Sequence, residues 1–470
     1  MATKKEAEKA ETCECRTKLH RLLYHMEFTR ALRRIELKRT MKLGEGHVCE
    51  QCQRLMAEGV EVVREVEVVD HSGKLPLHIA LDHMSRAPFN IVKALIEQYK
   101  EAVKIPTKVS TNLPLTLACS PKDRDWKGMD VLAGSDLEKT IILLMRKCPR
   151  AISKKSKEGG TPFHMLLEHK PQLPLVSEMI HLADGLIAKR DKSQGKQRLL
   201  DIKDCEGQLP LHIAIAYRAP TDVIMKIFTT KSDAVVVRMH HGYLPLHFAA
   251  KFGCAFPVLD RLLESNILAV KEKTANDYGG ETPLHLVFAD DAPEKWLGSK
   301  EDVSDDYLSP EQVVRKIVFH YYNSLRTKPI MTSSKNKKKR PVVYTEQQAT
   351  RKIKELLVIK NSLGRSVYEE AKAVEPFFSV PEKLLTFLKM LTNEEFDLES
   401  ERVHSAAKVI SVSSSSTSDS SSDFSSGSLF DSDSNDKEIP SGCKRSRVSG
   451  SKERSNPKKV KQGKKAKLRK

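Results

Sequence analysis

The sequence has no apolar run near the ~20 residues that a membrane-crossing helix needs, so no segment is expected to span a bilayer. Its first residues, Met1-Ala-Thr-Lys-Lys-Glu-Ala-Glu, lack the apolar core of a secretory signal, and no export is expected. Nine cysteines lie scattered over 470 residues and form no disulfide framework, which fits a reducing cytosolic or nuclear compartment. Also missing are a glycine-rich phosphate loop, a nucleophile elbow and paired carboxylates in a pocket-forming context. The chain is therefore read as non-enzymatic and without a cofactor.

Positive charge is plentiful. Lys plus Arg number 80 against 62 for Asp plus Glu, a net +18. Residues 441–470 hold 13 basic groups against Glu453, which is +12 of that excess and leaves the rest of the chain mildly basic. The length allows two or three domains and a sizeable core.

The most informative stretch is Asp204 to Phe228. Asp204 and Gly207 suit a tight turn, where glycine supplies positive φ. Pro210 suits the first position of a helix, which does not need its missing N–H. Leu211, Ile213, Ala214 and Ala216 make a short helix buried on most sides. After Pro220, the residues Val223, Ile224, Ile227 and Phe228 form one apolar stripe. The motif returns at Leu75-Pro76-Leu77-His78, Leu113-Pro114-Leu115-Thr116, Thr161-Pro162-Phe163-His164, Leu244-Pro245-Leu246-His247 and Thr282-Pro283-Leu284-His285. With Pro210 included, the prolines are 38, 48, 48, 35 and 38 residues apart. Repeats near this period predict a solenoid, because one helix pair cannot bury its stripe alone.

At these residues the chain resembles the ankyrin-repeat family, whose signature is a turn followed by T-P-L-H-x-A. A weaker seventh copy, Asn361 to Ala371, has Val367 in place of the proline. The resemblance covers roughly residues 70 to 392 and implies an all-α solenoid of stacked helix pairs with β-hairpin or turn fingers, followed by a disordered C-terminal tail. The expected division is a helical segment at 1–69, repeats at 70–330, a basic disordered insertion at 331–344, a degenerate last repeat at 345–392 and the tail at 393–470. Leu75, Leu113, Leu209 and Leu244 stand where the family has Thr, so those helices are expected to lose a side-chain cap worth ~1 kcal/mol each. His78, His164, His212, His247 and His285 are read as structural. A recurring Ala102, Ala151, Ala234 and Ala269 is read as opening each hairpin. Insertions are placed at 121–135, 189–200 and 290–309.

The resemblance also implies a protein partner held by the finger tips and the inner helices. At the tips the candidates are His71, Lys74, Glu206, Gln208, His241, Tyr243, Tyr278 and Glu281. On the inner helices they are Asp82, Tyr217, Arg218, Lys251 and Phe252.

Residues 16–43 read as one long cationic helix leading into the first repeat. Beyond it, His47-x-Cys49-x-x-Cys52, with Cys13 and Cys15 upstream, has spacing that could grip a zinc edge. The preferred reading takes Cys49 and Cys52 as small apolar helix residues, with no metal.

Lys335-Asn-Lys337-Lys338-Lys339-Arg340 can be an import signal, a nucleic-acid patch or a solvated loop. From Ser405 to Ser434 there are 15 serines in 30 residues, too few apolar groups to offset ordering entropy. There Ser416, Ser420 and Ser428, each followed by Asp at the third position, resemble acidophilic kinase sites. Val409-Ile-Ser-Val412 resembles a motif that adds a strand to small ubiquitin-like modifier. Lys444 and Arg445 with Lys458, Lys459 and Lys461 resemble a two-part import signal for importin. The expectation is a nuclear adaptor, with a cytoplasmic location as the alternative. A second reading is a chromatin- or RNA-associated protein whose tail meets phosphates without sequence preference.

Overall fold

Proline opens the inner helices, and where proline is missing a capping side chain does the same job. The structure is a computed structural model that describes residues 17–43, 50–70, 72–82, 87–120, 134–157, 159–188, 198–289, 307–327, 330–333, 339–374 and 380–392. All of these fall in one compact unit, residues 1–406.

Six inner helices begin at a motif proline: Pro76–Ala80, Pro114–Cys119, Pro162–Leu167, Pro210–Ala216, Pro245–Phe252 and Pro283–Leu286. Each is followed by an outer helix: Phe89–Gln98, Asp136–Lys147, Leu173–Ala188, Thr221–Thr230, Phe256–Ser265 and Pro310–Thr327. The predicted stripes are the buried ones, as with Val223, Ile224, Ile227 and Phe228. Consecutive inner helices pack on one another and consecutive outer helices do likewise, giving two layers around one continuous apolar core. The recurrent alanines do not open hairpins directly. They sit inside 3-10 turns such as Ser232–Val236 and Ile267–Lys271, where Ala234 and Ala269 are buried, and the extended limb of the finger follows.

Residues 16–43, expected as one helix, form two: Lys18–Tyr24 and Phe28–Glu36. The break lies at Met26, whose φ of 57° is left-handed and ends the first helix. The pair packs on Pro76–Ala80 and Phe89–Gln98 as an additional repeat. Thr17-Lys18-Leu19-His20 is its motif, with Lys in place of Pro. Thr17 Oγ1 accepts the His20 N–H at 3.3 Å and donates to His20 Nδ1 at 2.6 Å. Residues 40–42 and 62–65 clamp this repeat in place. Strands Thr40–Lys42 and Val62–Arg64 pair antiparallel. The guanidinium of Arg34 forks onto Glu65 with two 2.6 Å bonds, and Glu65 is buried.

The last repeat, Val367–Val374 and Glu382–Thr392, packs its inner helix on Pro283–Leu286. On the outer side one more helix, Glu346–Leu357, intervenes between Pro310–Thr327 and Glu382–Thr392. It starts at Thr345, which caps Gln348 while Gln348 Oε1 accepts the Thr345 N–H at 3.1 Å. Among the described residues there are thus eight inner helices and nine outer ones, so the outer layer is the longer at this end. Residues 331–344, read as a disordered basic insertion, instead contain an antiparallel hairpin of Ile330–Ser333 and Lys339–Val342. Apolar and β-branched residues on both sides of the lysine run, Ile330, Thr332, Val342 and Val343, favour strands over coil.

The fingers have a common turn chemistry. Asp204 Oδ1 accepts the N–H groups of Glu206 at 2.9 Å and Gln208 at 2.7 Å, and Asn361 does the same for Leu363 and Arg365 at 3.0 Å each. Gly242 has φ +82°, and a Cβ there would lie 2.8 Å from the Ala275 nitrogen of the next finger. Gly242→Ala should therefore destabilise by about 2 kcal/mol, from left-handed strain and the close approach together. Urea unfolding checks this, and an unchanged midpoint would refute it.

Candidate protein-binding face

Four of the motif histidines, His20, His78, His247 and His285, link their own helix start to the next repeat. His78 Nδ1 accepts the N–H of Leu75 at 2.9 Å while Nε2 donates to the Ile105 carbonyl at 2.9 Å. His247 does so with Leu244 at 3.0 Å and Glu272 at 3.0 Å, and His285 reaches Arg365 at 3.1 Å. His20 reaches the Lys74 carbonyl at 3.1 Å. His164 and His212 feel the carbonyls of Ile202 and Val237, but Nε2 closes no bond in either. The leucine N-caps do lack side-chain caps, yet this histidine takes over the N-cap N–H and so restores half of a capping box. Burial lowers the pKa of His78, His212, His247 and His285 to about 4, so all four are neutral near pH 7.

A turn, an inner helix, an antiparallel outer helix, a 3-10 turn and a finger recur along the stack, and in four repeats that histidine closes the unit onto the next. The repeating unit is the ankyrin repeat.

No family model matches the chain. The tyrosine-protein kinase Shark of Drosophila melanogaster is 24% identical over 202 residues, which are 42% of this chain and 20% of the kinase. The chain thus spans about a fifth of that relative's length. Among solved structures, the ankyrin repeat domain of Bcl-3 overlaps 57% of this chain and 92% of its own at 16% identity. Its TM-score of 0.33 is too low for that overlap to bear on the fold, which rests on the geometry above.

Ankyrin fingers of repeats five to eight are joined by main-chain bonds. His240 N donates to Glu206 O at 2.9 Å, Ala275 N to His241 O at 2.9 Å and Ser362 N to Gly279 O at 2.8 Å. This fixes the tips of these fingers relative to one another. Gln208 Nε2 donates to Glu206 at 2.5 Å. The rings of His241 and Tyr278 lie 3.7 Å apart across neighbouring fingers, with Tyr278 half exposed. Tyr243 meets His247 and Phe248, and Phe248 stacks on Phe252 at 5.8 Å. Lys251 lies over the Phe252 ring, and Arg218 Nε donates to the Phe252 carbonyl at 2.7 Å. Tyr217, at the place in its repeat that Phe252 holds in the next, is 47% exposed. Glu281 belongs to the same finger as Tyr278, with its N–H bonded to Thr274 Oγ1 at 2.9 Å.

Lys74 and Asp82 stand apart from this group. They form an ion pair with each other at 2.8 Å, so they latch a finger base to an inner helix within the second repeat. His71 lies outside the described residues, as do Cys49, Lys337, Lys338, Ser416, Ser420, Ser428, Lys444, Arg445, Lys458, Lys459 and Lys461. Lys339 and Arg340 pair with Ser333 and Thr332 in the hairpin. Cys52 falls within the Glu50–Ala57 helix. Among the described residues no cluster of three metal-ligating side chains occurs, and no helix is long and apolar enough to cross a membrane.

Tyr307 is a residue that sequence reasoning missed. Its hydroxyl is 3.5 Å from the Ala219 carbonyl, its backbone bridges Ala255, and Arg218 lies 5.5 Å from its ring centre. The return limb of the third insertion therefore clasps the two preceding repeats. Nothing in local sequence signals a contact made so far back.

Proposed function

We propose that the chain is a non-enzymatic ankyrin-repeat adaptor that holds a protein partner on the tips and inner helices of repeats five to seven. The observation that carries this reading is the cluster of Tyr217, Tyr243, Phe252, Tyr278 and His241 with Arg218 and Lys251. Its composition is that of interface hot spots, where large rings on rigid supports give area at low entropy cost. The tail supplies address and control. Lys444, Arg445, Lys458, Lys459 and Lys461, with Lys337–Arg340 as a second candidate, engage importin and bring the protein to the nucleus. Phosphorylation of Ser416, Ser420 and Ser428 adds negative charge beside the basic end. Val409–Val412 is the proposed contact for small ubiquitin-like modifier, and phosphate contacts with nucleic acid are a property of the basic end.

The test uses partners recovered by proximity labelling with the full-length chain. Tyr217→Ala with Tyr278→Ala, or charge reversal at Glu206 and Glu281, should weaken their binding by about tenfold or more, with the melting temperature little changed. Unchanged binding would move the site off this face.

A further inference from the structure

Five successive fingers carry a cation at the same place. Lys155, Lys203, Arg238, Lys273 and Lys360 each directly precede the residue whose N–H closes the finger base: Ser156 onto Gly160, Asp204 onto Gln208, Met239 onto Tyr243, Thr274 onto Glu281 and Asn361 onto Arg365. The side chains are ordered by the stack itself. Lys203 Nζ donates to the Arg238 carbonyl at 3.4 Å, Arg238 Nη1 to the Lys273 carbonyl at 3.1 Å, and Lys273 Nζ to the Lys360 carbonyl. Each cation thus leans on the main chain of the next one. All but Lys203, which is half-buried, are exposed, and a lysine so held has further donors for a ligand. Arg238 also pairs with Glu272.

Charge is unevenly spread along the chain, and residues 198–289, which hold three of the five cations, carry ten basic and ten acidic side chains. Residues 393–440 carry a net −8, so residues 1–392 carry +14. Of this, Lys335 to Arg340 supply +5 and residues 70–330 carry +5, so the row is a local feature of a mildly basic body.

We propose that this row is a second docking surface, which takes an extended acidic polypeptide with an acidic side chain near every third residue. The spacing favours that occupant. Packed helices, and so successive fingers, lie about 8–10 Å apart, and an extended chain advances about 3.3 Å per residue. Acids at i, i+3 and i+6 therefore meet successive cations. Single-stranded nucleic acid fits less well, because no aromatic residue adjoins any of the five cations in sequence to give bases a stacking platform.

The probes are a peptide of about fifteen residues with Glu at every third position, the same composition with its glutamates contiguous, and an oligothymidine strand. Binding is measured on the full-length chain, whose tail is common to all variants and cancels in the comparison. Lys203→Gln, Arg238→Gln and Lys273→Gln together should lower affinity for the spaced peptide about tenfold or more and flatten its salt dependence. The charge-preserving set Lys203→Arg, Arg238→Lys and Lys273→Arg should retain most of that affinity, and melting temperatures show that both sets fold. The proposal is overturned if the glutamine set binds the spaced peptide like the parent, or if those substitutions lower the affinity for the contiguous peptide or for oligothymidine as much as they lower it for the spaced one. None of these outcomes touches the aromatic face, whose failure shows only in the tyrosine variants.

Discussion

Lowering the pH from 7.5 to 5 should remove several kcal/mol of stability, although no motif histidine is exposed. His78, His212, His247 and His285 titrate at about 4 when folded and near 6.5 when unfolded. Between those values the unfolded chain binds more protons, so stability is full above about 6.5 and falls as the pH drops toward 4. At pH 5 this amounts to roughly 2 kcal/mol per histidine. His164, also lowered by burial, adds to the trend. Glu168 opposes it. Burial and the neighbouring Asp204 raise its pKa to about 7, so on acidification it returns roughly what one histidine removes. Unfolding midpoints across this pH range test the claim. His247→Gln should lower stability at pH 7.5, since it strands the Leu244 N–H and the Glu272 carbonyl, and should also flatten the slope by one histidine. A flat profile would mean that the histidines are not held neutral.

Leu246→Ala should cost about 2 to 5 kcal/mol, and Leu211→Ala about the same, because each leucine is a wedge between repeats with only 2% and 1% of its surface exposed. The reach of the damage is as informative as its size. Nearest-neighbour stacking confines a defect to adjacent repeats. Here Tyr307 returns from the seventh repeat to Ala255 and Ala219, and Leu308 N donates to the Cys254 carbonyl at 3.2 Å, so repeats five to seven share one clasp. Hydrogen exchange on Leu246→Ala should show lost protection from about residue 198 to 327, with Phe89–Gln98 and Asp136–Lys147 still protected. Loss through all eight repeats would contradict this linkage.

How far the sequence could be read follows from which residues carry the signal. Six inner helices were visible because proline marks each start, and Val367 could be placed by its glycine and alanine neighbours. The first repeat was not visible because Lys18 replaces the proline and Met26 takes the left-handed position where the sixth repeat has Gly253 at φ 75°. Without proline or glycine, two helices read as one. The finger-tip candidates were read from the motif register alone, and the structure brings His241 against Tyr278 and Gln208 against Glu206. Lys74 and Asp82 looked available for binding because sequence does not show that they neutralise each other. The row from Lys155 to Lys360 escaped notice because uneven insertions hide its period until the fingers are superposed by their hydrogen bonds.

The central claim, that repeats five to seven present the partner-binding face, is tested most directly by photo-crosslinking. A benzophenone amino acid would replace Tyr217, Tyr278 or the partly buried Tyr243 on that face, or Phe256 and Val358 on outer elements, which are at least as exposed as Tyr217 and Tyr278, in the full-length chain in cells. The account predicts the same partner band from the three tyrosine positions and none from Phe256 or Val358. Equal crosslinking at Phe256 or Val358, with nothing at the tyrosines, would contradict it.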